Sequence, residues 1–136
     1  MKIMVMDGQG GGVGRSLVEE IGTRYPEAWV AAVGTNAAAT ANMMKGGASA
    51  GATGENAVLY NSRRADVIVG PIGIVMANAM LGEITPKMAE AVSSADVPVI
   101  LIPMSKSNAQ VVGVVDRKLG DYVREAAEKI ADIASK

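Results

Sequence analysis

Four short stretches of this chain are apolar at every position: Ile3 to Met6, Trp29 to Val33, Val67 to Val69 and Val97 to Ile102. A strand whose two faces are both apolar must be covered on both sides, which is the signature of a parallel sheet between helical layers. The segments between them carry helical periodicity. Arg15 to Arg24 sets Leu17, Val18 and Ile21 against Glu19, Glu20 and Arg24, the spacing of an amphipathic helix. Val and Ile together number 27 against 5 Leu, so the core is β-branched, as a central sheet prefers. Crossover handedness makes this alternation a doubly wound, three-layer α/β sandwich with a mostly parallel sheet of five or six strands. With no linker, charge block or repeat, 136 residues make one domain, 1–136.

The remaining elements follow from local signals. Thr35-Asn36 caps a helix from Ala37 to Lys45, closed by Gly46-Gly47. Ala57 to Tyr60 reads as a strand; the rival reading of residues 54–64 puts a short strand near Ala50 and starts a helix at Glu55. Pro71 to Leu81 reads as a helix after a Gly-Pro corner. Thr85-Pro86 starts another, through Val92. Val111 to Val115 reads as a last short strand, and Arg117 to Ser135 as the final helix, with Leu119, Val123, Ala126, Ile130 and Ile133 in one apolar stripe.

Composition excludes several chemistries. There is no Cys and no His, which removes disulfides, thiol nucleophiles, thiolate zinc sites, imidazole ligands and the Ser-His triad. A formal charge of −1 argues against nucleic-acid or anionic-membrane partners, which call for a basic surplus. The longest uncharged stretch, Val67 to Gly82, is broken by Gly70, Pro71, Gly73 and Asn78 and falls short of the ~20 apolar residues of a membrane helix. No signal-peptide pattern is present. The expectation is a cytoplasmic protein.

The loop Asp7-Gly8-Gln9-Gly10-Gly11-Gly12-Val13-Gly14 joins the first strand to the first helix. Its glycines permit a tight turn and close backbone approach, and the helix start adds unpaired amides and a positive dipole end suited to an anion. Gly8, Gln9, Gly10, Gly11, Gly12, Val13, Gly14 and Arg15 are therefore the candidates for holding a phosphate. The competing role for these glycines is helix-on-sheet packing. Asp7 opposes a bare phosphate: at ~5 Å the two charges repel by about 3 kcal/mol at an effective dielectric near 20. It is either a magnesium ligand or an acceptor for loop amides. The dinucleotide fingerprint Gly-x-Gly-x-x-Gly is not met, because its third glycine falls on Val13 or Arg15.

In register instead are Gly8, Gly12, Val13 and Gly14, which resemble the Gly-x-x-x-Gly-[Ile/Val]-Gly loop of short-chain dehydrogenases. That family's Tyr-x-x-x-Lys is missing, since Tyr122 is followed by Ala126 at the lysine position, so its reductase chemistry does not carry over. Gly11 to Ser16 is also similar to the deviant P-loop of partition ATPases, but Arg15 replaces its lysine. After the second strand, NAD proteins carry an acid; Gly34-Thr35-Asn36 offers neutral hydrogen-bonding groups that suit NADP, another nucleotide or no ligand at all.

Ligands of such sheets lie beyond the carboxyl ends of the strands, which gathers Gly34 to Asn36, Gly70-Pro71-Ile72-Gly73 and Pro103 to Asn108 around the glycine loop. Backbone amides of the third loop and Ser105 and Lys106 of the fourth complete the candidate set. Glu83 reads as a base, a ligand or electrostatic tuning of the helix start, with tuning favoured. Asp7 to Gly12, Gly34 to Asn36, Gly51 to Asn56, and Gly70 to Ile74 through Leu81 to Pro86 together resemble a small bacterial family catalogued as domain of unknown function 3842. The resemblance implies a small Rossmann-like protein and supplies no activity.

Three functions remain open: a binder of NAD(P), NADP ahead of NAD, or of another nucleotide; a non-catalytic protein binding a metabolite or partner subunit; and a magnesium-dependent carboxylate enzyme using Asp7 with Glu55 or Glu83 on a phosphorylated small molecule. Whether any reaction is catalysed does not follow from the residues. A homodimer would use the last helix's stripe or the Val75 to Met80 segment.

Overall fold

The computed structural model describes residues 1–104 and 109–135. Among these residues five strands, β1 (Lys2–Asp7), β2 (Trp29–Gly34), β3 (Ala50–Thr53), β4 (Val67–Pro71) and β5 (Val99–Ile102), form one sheet in the order β3-β2-β1-β4-β5. Every pairing is parallel. This is a Rossmann-like sheet. The chain steps outward from β1 to β3, then returns to the other side of β1 as β4, so the switch point lies between β1 and β4.

The helices are α1 (Gly12–Arg24), α2 (Ala37–Lys45), α3 (Glu55–Ser62), α4 (Pro86–Ser93) and α5 (Leu119–Ala134). β1 explains the two layers residue by residue. Ile3 and Val5 face one cluster, with Leu17 and Ile21 of α1, Met43 of α2 and Ile130 of α5. Met4 and Met6 face the opposite cluster, with Val58 of α3 and Met88 and Val92 of α4. Period-two alternation thus sends successive side chains of one continuous apolar run into two different cores. The α5 stripe is spent in the first cluster: Val123, Ala126 and Ile130 are buried, and Leu119 and Ile133 pack against it. No helix of the described residues is long and apolar enough to cross a membrane.

Three expectations are corrected. Ala57 to Tyr60 is helical, inside α3, and the third strand is Ala50–Thr53. Its small residues carry no strand signal because α2 lies against it: a methyl on Gly51 would come 2.9 Å from Met44 Sδ and from Thr40 Cγ2. Pro71 to Leu81 is not a helix. A single 3₁₀ turn, Ile72–Val75, is followed by tight turns with positive φ at Asn78, Met80 and Leu81. Val111 to Val115 forms no strand; Val112 is 99% exposed.

Candidate functional site

β1 ends in Asp7, whose carboxylate organises the loop beyond it. Asp7 Oδ1 accepts the Gly8 amide at 2.8 Å and Oδ2 accepts the Gly14 amide at 2.6 Å. The side chain is 4% exposed. Burial raises its pKa above the ordinary aspartate value; the two amide bonds oppose that rise and the nearby Glu83 charge adds to it. Asp7 therefore acts as a staple that closes the loop back onto the first turn of α1, and both of its oxygens are engaged.

The glycines divide into two groups. Gly8, Gly11 and Gly14 answer to packing. A methyl on Gly8 would lie 2.6 Å from Thr35 Oγ1, 2.7 Å from Met80 Sδ and 3.0 Å from Glu83 Oε1. On Gly11, which has φ +74°, it would strike the Ala39 backbone at 2.7 Å, and on Gly14 it would meet Met43 Sδ at 2.5 Å. Gly10 and Gly12 have no such neighbour among the described residues: a methyl there meets none of them within 4 Å, and both are exposed. These two, with half-buried Val13 between Gly12 and Gly14, form the open rim at the start of α1. Val13 itself packs against the first core cluster. Arg15 leans along α2, its Nη1 donating to Asn42 Oδ1 at 3.0 Å, while Asn42 Nδ2 donates to the Gly10 carbonyl at 3.0 Å. The guanidinium is thus held one side chain away from the rim.

Thr35 and Asn36 follow β2 and converge on one atom. Glu83 Oε1 accepts the Thr35 hydroxyl at 2.7 Å, Asn36 Nδ2 at 2.8 Å and the Gln9 amide at 2.8 Å. Asn36 also caps α2, its Oδ1 accepting the Ala39 amide at 2.8 Å, and ties Gln9 through its carbonyl at 2.9 Å. These bonds hold Glu83 below the usual carboxylate range, the Thr35 hydroxyl first among them. An acid therefore stands at the end of the second strand after all, supplied from a distant part of the chain. The sequence alone points Glu83 toward electrostatic tuning of a helix start. Its distance from Thr35 along the chain hid the contact.

Gly70, Pro71, Ile72 and Gly73 do reach the same edge, but the chain covers them. Gly70 and Gly73 are buried, and a methyl on Gly73 would lie 3.4 Å from Met80 Cε and 3.5 Å from Ala79 Cβ. The strap responsible is residues 76–84, closed by Asn78 N donating to Ile84 O at 2.7 Å and Ile84 N to Ala79 O at 3.2 Å, and anchored by fully buried Ile84. Ser105 and Lys106 lie outside the described residues. Among the described residues no group of three or more acidic side chains is placed to hold a metal ion. A groove of about 540 Å³ lies elsewhere, lined by Leu59, Arg63, Lys87, Glu90 and Asp96 between α3 and α4.

No curated protein sequence matches the chain. Among solved structures, the crystal structure of a dodecameric FMN-dependent Ubix-like decarboxylase from Escherichia coli O157:H7 is similar at a TM-score of 0.47 and 16% identity, covering 100% of this chain and 95% of that one. The family model described as Domain of unknown function (DUF3842) matches residues 2–135, and the chain belongs to that family.

Proposed function

We propose that this protein binds a nucleotide with a free ribose 2′-hydroxyl at the glycine-loop edge. The phosphate would sit on the open rim of Gly10, Gly12 and Val13, and the ribose on Glu83. The observation that carries this reading is the Glu83 carboxylate beside Thr35 and Asn36, at the end of β2. That is where dinucleotide-binding sheets place the acid that accepts a ribose hydroxyl. Three donors use Oε1, and a carboxylate has acceptor capacity left on its second oxygen.

The same carboxylate selects against a 2′-phosphate. Each unit of phosphate charge at ~5 Å is opposed by about 3 kcal/mol at an effective dielectric of 20, and exposure to water reduces this. The proposal therefore puts NAD-type ribose ahead of NADP-type, the reverse of what Thr35 and Asn36 suggested alone. Asp7 serves the loop as a staple in this reading, and binding does not require magnesium.

Calorimetric titration with AMP and with adenosine 2′,5′-bisphosphate tests it. AMP should bind at least tenfold more tightly, and Glu83→Gln should narrow the gap. Absence of binding by either nucleotide, with or without magnesium, would overturn the reading and favour a partner-binding or metabolite-binding role for this edge.

A further inference from the structure

A dinucleotide lies across the switch point of a doubly wound sheet, with one half over the loop after β1 and β2 and the other over the loop after β4. In this protein the chain itself lies across that point. Met80 Sδ stands 2.7 Å from the position of a methyl on Gly8, just past β1, and Met80 Cε stands 3.4 Å from that on Gly73, just past β4. One side chain thus spans the segments that follow the two strands defining the crevice.

The strap carrying Met80 is held at both ends. Buried Ile74 precedes it and buried Ile84 closes it, both in the core cluster beneath. Next to Ile84, Glu83 is bound to Gln9, Thr35 and Asn36. Met80 itself adopts φ 58°, a left-handed conformation that a side-chain-bearing residue adopts at a cost and that the surrounding packing must impose.

We infer that the 76–84 strap limits the ligand to a mononucleotide, Met80 being the residue that excludes the second half of a dinucleotide. This rests on the nucleotide-binding reading above and narrows its ligand class. The half of the edge between the glycine loop and β2 stays open at Gly10 and Gly12. The half beyond Gly8, toward β4, is filled by Met80 and Ala79. A nucleoside monophosphate needs only the first.

The experiment compares AMP with NAD by calorimetry on the wild-type protein, Met80→Gly and Met80→Asn. Both replacements suit a left-handed backbone and shorten the side chain, and unfolding midpoints confirm that each variant is folded. The wild-type protein should bind AMP at least tenfold more tightly than NAD, and both variants should close that gap at least fivefold through tighter NAD binding. NAD binding the wild-type protein as tightly as AMP would overturn the inference while leaving the nucleotide reading intact. An AMP-to-NAD ratio unchanged in both variants would overturn the role of Met80. Failure of the wild-type protein to bind either nucleotide would overturn both readings together.

Discussion

The Thr35 hydroxyl donates to Glu83 Oε1 at 2.7 Å across 48 positions of chain, joining the end of the second strand to the strap that follows the fourth. Because Gln9 donates to the same oxygen, three loops of the carboxyl edge share one acceptor. The edge is therefore a single cross-braced unit, and a change at Glu83 reaches all three loops.

That bracing has a pH signature. Glu83 is held below its ordinary pKa by Thr35, Gln9 and Asn36. A carboxylate depressed on folding stabilises the protein above its unfolded value, and that contribution disappears as pH falls through the folded value. The stability difference between the wild-type protein and Glu83→Gln should therefore be full at pH 7 and shrink below about pH 4, as measured by urea unfolding across pH. The same replacement removes the Glu83 charge that helps raise Asp7, so the Asp7 carboxyl should titrate lower in the variant, as read by carbon-detected NMR.

Asp7→Asn tests the staple. Both loop amides are donors, and an asparagine offers one oxygen while turning its own NH₂ group against the second amide. A loss of about 1–3 kcal/mol is expected from the unpaired buried donor, despite removal of a buried charge. The charge works the other way: a carboxyl raised on folding favours the fold fully below its unfolded pKa, and that advantage is lost as pH rises through the folded one. The cost of Asp7→Asn should accordingly vary with pH over the acid range. An unchanged denaturant midpoint at pH 7 would contradict the staple.

The division among the glycines predicts opposite outcomes for nearly identical changes. Gly70→Ala would place a methyl 2.4 Å from the Met6 carbonyl oxygen, and rigid backbone cannot yield as a side chain can. A loss of at least about 1–3 kcal/mol follows. Gly10→Ala meets none of the described residues within 4 Å and should be neutral or stabilise by about 0.4–1 kcal/mol through the unfolded chain. Gly12→Asp, at the first position of α1, should keep the fold and gain a few tenths of a kcal/mol from the helix dipole, while abolishing the thermal shift that the proposed AMP binding should give. Retained AMP binding would remove Gly12 from the site.

Leu81 is 99% exposed and has φ 57°. Left-handed geometry costs a branched side chain about 1–2 kcal/mol, and an exposed one recovers little by packing. Leu81→Asn, a residue that tolerates this region, should raise the thermal midpoint by up to a few degrees. A lowered midpoint would show that Leu81 contributes a contact in solution.

Much of the architecture was legible because its signals are local. Continuous apolar runs identify β1, β2, β4 and β5. Asn36 and Thr85 identify the starts of α2 and α4 by the capping bonds their side chains accept. β3 was not legible, since an edge strand of Ala, Gly, Ala and Thr is chosen by the helix packed on it and not by its own propensity. α3 carries no helical signal for a related reason. Only Val58 and Ser62 of its eight residues are buried, so Ala57 to Tyr60 presents an apolar run with no helical stripe.

The sheet's parallel, doubly covered character and the position of a glycine loop at its carboxyl edge are encoded locally, because strand burial and turn geometry are written in neighbouring residues. Tertiary structure alone decided which glycines face solvent, that both Asp7 oxygens serve the loop, that an acid from the strap completes the end of β2, and that Met80 crosses the switch point. Each of those is a contact between segments far apart in the chain, and no local periodicity encodes which distant side chain will fill a given gap.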